Sequence, residues 1–257
     1  MAVNRRPPAD TGSPIMTKRL DHFTTLTFDC YGTLIDWETG IWDALQPLLA
    51  ASGADVERAA ALATFARRES AIQTAHPGML YPDTLTHAHR ALADELGFAT
   101  SDELDEVFGR SLPHWPAFAD SAGALRKLKT RYKLVILSNV NRAGFAASNL
   151  KLGVAFDAVY TAEDIGSYKP DPRNFAYLLE RLKADLGVGK GDILHTAQSL
   201  FHDHVPARAV GLANAWIDRQ GLSTGDNWGA TARLAERPDC DFVYPDMISL
   251  ARAAGVA

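Results

Sequence analysis

The sequence predicts an α/β protein: a parallel sheet covered by helices on both faces, with a helical segment inserted after the first strand. Three observations carry this. Six short strand-like stretches recur along the chain, helix-like segments lie between several of them, and residues 38–117 keep helical spacing with no strand to interrupt it. Strands that alternate with helices pair in parallel, because each crossover returns the chain to the same end of the sheet. With 257 residues and 47% hydrophobic composition, the chain can build one full core and a smaller appended unit.

The elements follow in order. Residues 1–20, "MAVNRRPPADTGSPIMTKRL", are Pro-rich and polar, without an apolar signal core, and read as a disordered extension. "FTTLTFD" (23–29) is the first strand and ends on Asp29, followed by a turn through Cys30, Tyr31, Gly32 and Thr33. Then come four helical segments: "GIWDALQPLLAASG", "DVERAAALATFARRESAIQTA", "YPDTLTHAHRALADELG" and "DELDEVFGRSL". An insertion at this point sits over the carboxyl ends of the strands, where open α/β sheets bind ligands. The expected division is 21–37 with 118–257 as the sheet domain and 38–117 as the helical one.

"AGALRKLKTRY" precedes the strand "YKLVILS" (132–138), which ends on Ser138 and Asn139, and "NRAGFAASNLKLG" follows it. "AFDAVYT" (155–161) is the third strand, with Lys169 and Pro170 shortly after it. "PRNFAYLLERLKADLG" leads to "DILHTA" (192–197), followed by Gln198, Ser199 and Asp203. "LANAWID" (212–218) and "DFVYP" (241–245) complete the set. "GVGKGD" precedes a strand and lacks phosphate-loop spacing, so it reads as a turn.

Composition excludes several functions. A formal net charge of -5 with no basic run argues against nucleic acid. No apolar run approaches the roughly 20 residues that span a bilayer. Cys30 and Cys240 are far apart and lack metal-ligand spacing, which suits a reducing compartment and makes the cytoplasm the expected location.

The chemistry gathers at the strand ends. In a parallel sheet these converge on one edge, so Asp29, Ser138, Asn139, Lys169, Gln198 and Asp203 should surround one crevice. A carboxylate that is ionised and aimed is a nucleophile, and a neighbouring ammonium favours its ionised form. Lys169 is the candidate ammonium. Ser138 and Asn139 are neutral donors suited to a substrate carboxylate or a leaving anion. His202-Asp203-His204 reads as a solvated helix start with Pro206 in its first turn, since adjacent residues seldom converge on one metal. His202 is a candidate substrate contact.

The ordered set Asp29-Cys30-Tyr31-Gly32-Thr33, Ser138-Asn139, Lys169-Pro170 and Asp203 resembles the haloacid dehalogenase superfamily from about residue 22 onward. The resemblance implies a Rossmann-like core with a helical cap. It also implies an aspartyl ester on Asp29, with Thr33, Lys169 and Asp203 completing the catalytic set. Phosphatases of that superfamily carry a second Asp two residues after the nucleophile, where this chain has Tyr31. A Tyr with its ordinary pKa of about 10 is a poor acid at neutral pH. Halide leaves carbon as a stable anion and needs no proton, so Tyr31 is similar to the 2-haloacid dehalogenase branch.

Gln198 stands where those phosphatases hold Mg²⁺ with an acid, so no metal and no cofactor is expected. In the resembled enzymes an arginine of the first cap helix holds the halide or carboxylate, which points to Arg67, with Arg68 beside it. Trp37 should wall the pocket, and Tyr31, Gln198 and His202 should contact the substrate. The chain departs from the dehalogenases at Phe175, Gln198 and Leu200, and the combination "FDCYGTLIDWETG", "YKLVILSN", "GSYKP", "DILHTA", "HDH" and "AWI" resembles a subgroup that includes L-azetidine-2-carboxylate hydrolase. The expected partner is a small carboxylic acid, and the resemblance makes a homodimer possible. The expected activity is (S)-2-haloacid dehalogenation. The alternatives are opening of a strained imino-acid ring, a Mg²⁺-dependent phosphatase, and a non-catalytic binder on the same scaffold.

Overall fold

In the computed structural model, which describes residues 18–224, 234 and 236–256, six strands form one parallel sheet in the order β3-β2-β1-β4-β5-β6. They are β1 (Thr25–Phe28), β2 (Lys133–Ser138), β3 (Ala158–Thr161), β4 (Ile193–Ala197), β5 (Ala213–Ile217) and β6 (Phe242–Tyr244). Each lies inside a stretch that the sequence marks as a strand, and the fold class is the expected one. Most of the expected N-terminal extension lies outside the described residues. Within what is described, Leu20 is already buried.

The strands read as near-continuous apolar runs because both sheet faces are covered. In β2, Leu134 and Ile136 join one core cluster while Val135 and Leu137 join the other, as the twofold alternation of a strand requires. The first face is packed by α5 (Ser121–Leu128) and α10 (Met247–Ala253). The second is packed by Phe175, Leu178 and Leu182 of a helix spanning Pro172–Leu186. Between these elements lie α6 (Arg142–Leu152) and α7 (Ala162–Ile165), so Pro172–Leu186 is α8, and α9 (Val205–Ala209) follows β4.

Four helices stand between β1 and α5: α1 (Trp37–Ser52), α2 (Arg58–Ala75), α3 (Tyr81–Leu96) and α4 (Asp102–Gly109). The chain enters and leaves this segment at one place. Ile35 bridges antiparallel to Ala117, and the Asp36 N–H donates to the Pro116 carbonyl at 2.8 Å. Asp36 also caps α1 by accepting from the Thr39 N–H at 3.1 Å. Buried Asp105 of α4 accepts from His89 and Arg90 of α3, each at 2.7 Å, which fastens the two helices. No helix among the described residues is long and apolar enough to cross a membrane.

The sheet order places the site. The strand order changes direction beside β1, with β2 on one flank and β4 on the other, so a crevice opens at the carboxyl ends of these strands. Asp29 follows β1 directly, and Gln198 follows β4 directly.

Candidate active site

Asp29 is buried, and its N–H continues the sheet ladder to the Thr196 carbonyl at 3.1 Å. Its two carboxylate oxygens have different partners. Oδ2 accepts from the Thr33 hydroxyl at 2.8 Å, and Oδ1 accepts from Nζ of Lys169 at 2.9 Å. Thr33 is itself held, because its Oγ1 accepts from the Gln198 N–H at 2.9 Å. The turn that allows this needs Gly32, which has φ +95°. A Cβ there would also sit 3.1 Å from both Oε1 of Gln198 and Nε1 of Trp37.

Lys169 uses all three of its ammonium donors. Nζ donates to Asp29 Oδ1, to Asp203 Oδ1 at 2.6 Å and to the Leu137 carbonyl at 3.0 Å. Its backbone is clamped by Asn139, whose Oδ1 accepts from the Lys169 N–H at 2.6 Å and whose Nδ2 donates to the Lys169 carbonyl at 2.9 Å. Asn139 borders the cavity, but both ends of its amide are engaged in holding Lys169.

Asp203 Oδ1 also accepts from Nε2 of His195 at 2.9 Å. An ionised carboxylate can only accept, so Nε2 of His195 carries a proton, and Nδ1 pairs with the Thr27 hydroxyl at 2.8 Å. The pairing of β1 with β4 sets Thr27 directly opposite His195, which makes that bond a cross-strand contact. The other oxygen of Asp203, Oδ2, is buried without a partner.

Burial pushes the Asp29 carboxyl above its ordinary range. Lys169 opposes this and the charge of Asp203 adds to it. For Asp203, burial also acts upward, but the Lys169 charge and the His195 hydrogen bond outweigh it and hold that carboxyl far below the ordinary range. For Lys169, burial acts downward, and the two carboxylates outweigh it and keep it charged. Burial pushes the Tyr31 phenol well above its ordinary value. Its hydroxyl pairs with Ser148 of α6 at 2.9 Å, while its ring stacks on Tyr81 with centroids 6.3 Å apart.

A cavity of about 920 Å³ lies between these strand ends and α2 with the start of α3. Asp29, Tyr31, Trp37, Lys169, Gln198, His202 and Asp203 border it from the sheet side, and Arg67, Glu69 and Tyr81 from the helices. Ser138 is not at its wall. It is buried at the end of β2 with an unpartnered hydroxyl. Arg67 reaches the cavity edge, but its guanidinium pairs with Glu95 at 2.7 Å and with Thr64 at 3.0 Å. Arg68 binds the other oxygen of Glu95 at 2.5 Å.

The turn His202-Asp203-His204 differs from the solvated helix start expected of it. Residues Leu200–His204 form one wide turn with i→i+5 bonding, including the His204 N–H to the Ser199 carbonyl at 3.3 Å. This buries Asp203 and His204, with Nε2 of His204 on the Ala197 carbonyl at 2.9 Å. His202 pairs with Ser199 through Nδ1 at 3.1 Å, and burial brings its pKa down to about 4, so it is neutral at neutral pH. Three residues at the site are absent from the sequence reading: His195, Glu69 and Tyr81. A histidine inside the apolar strand "DILHTA" was a visible signal. Glu69 in "RRESA" had none to separate it from its charged neighbours.

These residues do not fit a Mg²⁺ ion. The ammonium of Lys169 stands between Asp29 and Asp203, where a cation would bridge them. Gln198, which stands where an acid would be needed, is a neutral amide and directs its Nε2 toward Gln220 at 3.4 Å.

The family model described as a hydrolase, haloacid dehalogenase-like hydrolase, matches residues 23–195. This chain belongs to that family. Among curated relatives, the (S)-2-haloacid dehalogenase 4A of Burkholderia cepacia is 29% identical over 209 residues, covering 79% of this chain and 86% of the relative. An (S)-2-haloacid dehalogenase of Pseudomonas putida is 29% identical over 136 residues. That match covers 52% of this chain, and the chain spans 58% of the Pseudomonas relative's length. Among solved structures, a defluorinating L-2-haloacid dehalogenase superposes with a TM-score of 0.72 at 22% identity, over 91% of this chain and 95% of the other. The L-2-haloacid dehalogenase of Xanthobacter autotrophicus gives 0.71 at 20% identity, over 90% and 97%. These likenesses concern the fold of this family member.

Proposed function

We propose that the chain displaces a substituent from C2 of a small carboxylic acid, with halide as the favoured leaving group, through an ester on Asp29. The observation that carries this reading is the carboxylate of Asp29, held by Lys169 and Thr33 at the floor of the cavity. The residue two positions on, Tyr31, binds Ser148 and offers no acid for a basic leaving group.

In the first step an Asp29 oxygen attacks C2 from the side opposite the halogen. The new C–O bond forms as the carbon–halogen bond breaks, and halide leaves with the bonding pair. No proton moves. In the second step water attacks the ester carbonyl carbon of Asp29. Asp203 Oδ2, the unpartnered oxygen, takes a proton from that water, and Lys169 stabilises the negative charge that develops on the carbonyl oxygen. Collapse expels the 2-alkoxide, whose oxygen comes from Asp29; it takes the proton held on Asp203 and leaves as the 2-hydroxy acid, while the remaining water proton on the Asp29 carboxyl passes to solvent, so that Asp29 and Asp203 are both carboxylates again. Gln198 offers its carboxamide to the substrate carboxylate, and Asn139 acts through Lys169. Arg67 reaches the departing anion by leaving its half-exposed pair with Glu95.

The test is halide release from (S)-2-chloropropionate in EDTA, with Asp29→Ala as control. A single turnover in heavy-oxygen water should place the label in Asp29 and leave the first product unlabelled. Label in the first product would instead mean direct attack by water. A second reading, in which the displaced group is a ring nitrogen, is favoured by one observation, the Glu69 carboxyl in the same cavity. A Mg²⁺-dependent phosphatase is disfavoured by Tyr31 and Gln198.

A further inference from the structure

β5 runs parallel to β4 and ends at Ile217, so the next three residues, Asp218, Arg219 and Gln220, emerge at the sheet edge that carries the site. The proposed reaction gives them no role. Asp218 closes their turn by accepting from the Leu222 and Ser223 N–H groups at 2.7 and 2.8 Å. Arg219 fastens the turn to the Asp29 loop. Its guanidinium donates twice to the Thr33 carbonyl, at 2.8 and 3.2 Å, and once to Asp120 at 2.8 Å. Gln220 is thereby held next to Gln198.

The backbone of Gln198 is fixed on both sides. Its N–H donates to Thr33, and its carbonyl accepts from Nε1 of Trp216 at 3.0 Å. The side-chain amide can still turn, and its two ends are opposite in character: Nε2 donates and Oε1 accepts. A substrate carboxylate needs the donor. Gln220 selects it. Nε2 of Gln220 donates to Oε1 of Glu38, in the first turn of α1. An ionised carboxylate can only accept, so Gln220 faces Glu38 with its nitrogen and Gln198 with its oxygen. That oxygen accepts from Nε2 of Gln198 at 3.4 Å. The same Nε2 carries a second hydrogen, which has no partner among the described residues, and Gln198 borders the cavity.

We propose that Gln220 is a positioning residue: anchored on Glu38, it turns the Gln198 carboxamide so that an N–H of Nε2 faces the substrate carboxylate. The inference rests on the reading of the cavity as the site where Asp29 attacks a small carboxylic acid. Gln220 does not border the cavity, and it acts only through Gln198.

The test uses isobutyrate, which is 2-chloropropionate with a methyl group in place of chlorine and binds without reacting. Gln220→Met keeps the length of the side chain and removes its amide. The Gln198 amide then has to be ordered on binding, so the Kd for isobutyrate should rise by roughly three- to tenfold. Gln220→Ala, carried in parallel, should behave alike. In Gln198→Leu, which binds isobutyrate more weakly, adding Gln220→Met should change Kd by less than about twofold. With (S)-2-chloropropionate, KM should rise in Gln220→Met while single-turnover halide release at saturation stays within about twofold of wild type. Unchanged affinity in Gln220→Met, or a loss that persists in the Gln198→Leu background, overturns the proposal and leaves the amide chain a structural link between α1 and the β5 turn. Absence of isobutyrate binding in the wild type overturns it together with the carboxylic-acid reading. Gln220-dependent binding without halide release would keep the positioning role and discard the halide.

Discussion

Nζ of Lys169 lies 2.9 Å from Oδ1 of Asp29, and both groups are buried at the floor of the cavity. The same ammonium donates to Asp203, so one cation serves two carboxylates. The result is a division of labour. Asp203, with His195 as a further donor, is ionised in the resting site, while Asp29 keeps a raised proton affinity.

Lys169→Met should remove this cation and leave two carboxylates buried without it. Breaking a buried ion pair by removing one partner costs about 3–5 kcal/mol, visible as a lower urea midpoint. Halide release should fall by roughly 10²–10⁴-fold. A variant that keeps wild-type turnover would remove Lys169 from the mechanism.

The pH profile follows from Asp29. Only its ionised form attacks, and its pKa is raised, so kcat/KM should fall as pH is lowered through a value above the ordinary Asp pKa of about 3.9. Asp203, with its lowered pKa, stays ionised over that range. His202, at about 4, contributes no change near pH 6.5. The Asp29 limb should persist in both His202→Gln and Glu69→Gln. An acid limb at the ordinary Asp value would contradict the geometry.

His195→Phe tests the positioning of Asp203. The change removes the Nε2 donor while keeping an aromatic ring in the strand. A hydrogen bond to a charged group contributes about 1.5–3 kcal/mol, so hydrolysis of the ester should slow by roughly tenfold to a hundredfold. The first turnover should be less affected. Intact-protein mass measured during turnover should then show ester-bearing protein accumulating in the variant and not in the wild type. Equal slowing of both phases would mean a merely structural histidine.

Arg67→Ala and Arg68→Ala separate two arginines that share Glu95. Both pairs are solvent-exposed, so each change should alter stability by no more than about 1 kcal/mol. Only Arg67→Ala should lower kcat/KM for halide release, by about tenfold. Parallel losses in both variants would remove Arg67 from the leaving-group site.

Gly40→Ala should destabilise the protein although it removes a helical glycine. A Cβ at residue 40 would stand 2.2 Å from the indole of Trp115, which is buried and donates from Nε1 to Ser111 at 3.1 Å. The gain in helix propensity, about 1 kcal/mol, is outweighed by an overpacking cost of about 1–3 kcal/mol. Urea unfolding measures the difference.

The sequence by itself determined the sheet and the identity of its edge residues. Strand periodicity and the alternation with helices are local signals, and parallel pairing forces the strand ends together whatever the side chains do afterwards. Asp29, Lys169 and Asp203 were legible for that reason, although 140 residues separate the first two. Tertiary structure alone decided the partners. Asn139 has the chemistry of a substrate donor, yet the loop carrying Lys169 approaches closely enough to take both ends of its amide. His202-Asp203-His204 is polar and reads as solvated, yet the i→i+5 turn rotates Asp203 inward to meet Lys169. Glu69 lies in an alanine-rich helix whose pattern marks no single inward face, so only the packing of α2 over the crevice selects it from the charged residues beside it. Hydrogen-bond partners and the direction of a side chain depend on distances between segments remote in the chain, and periodicity carries no information about those.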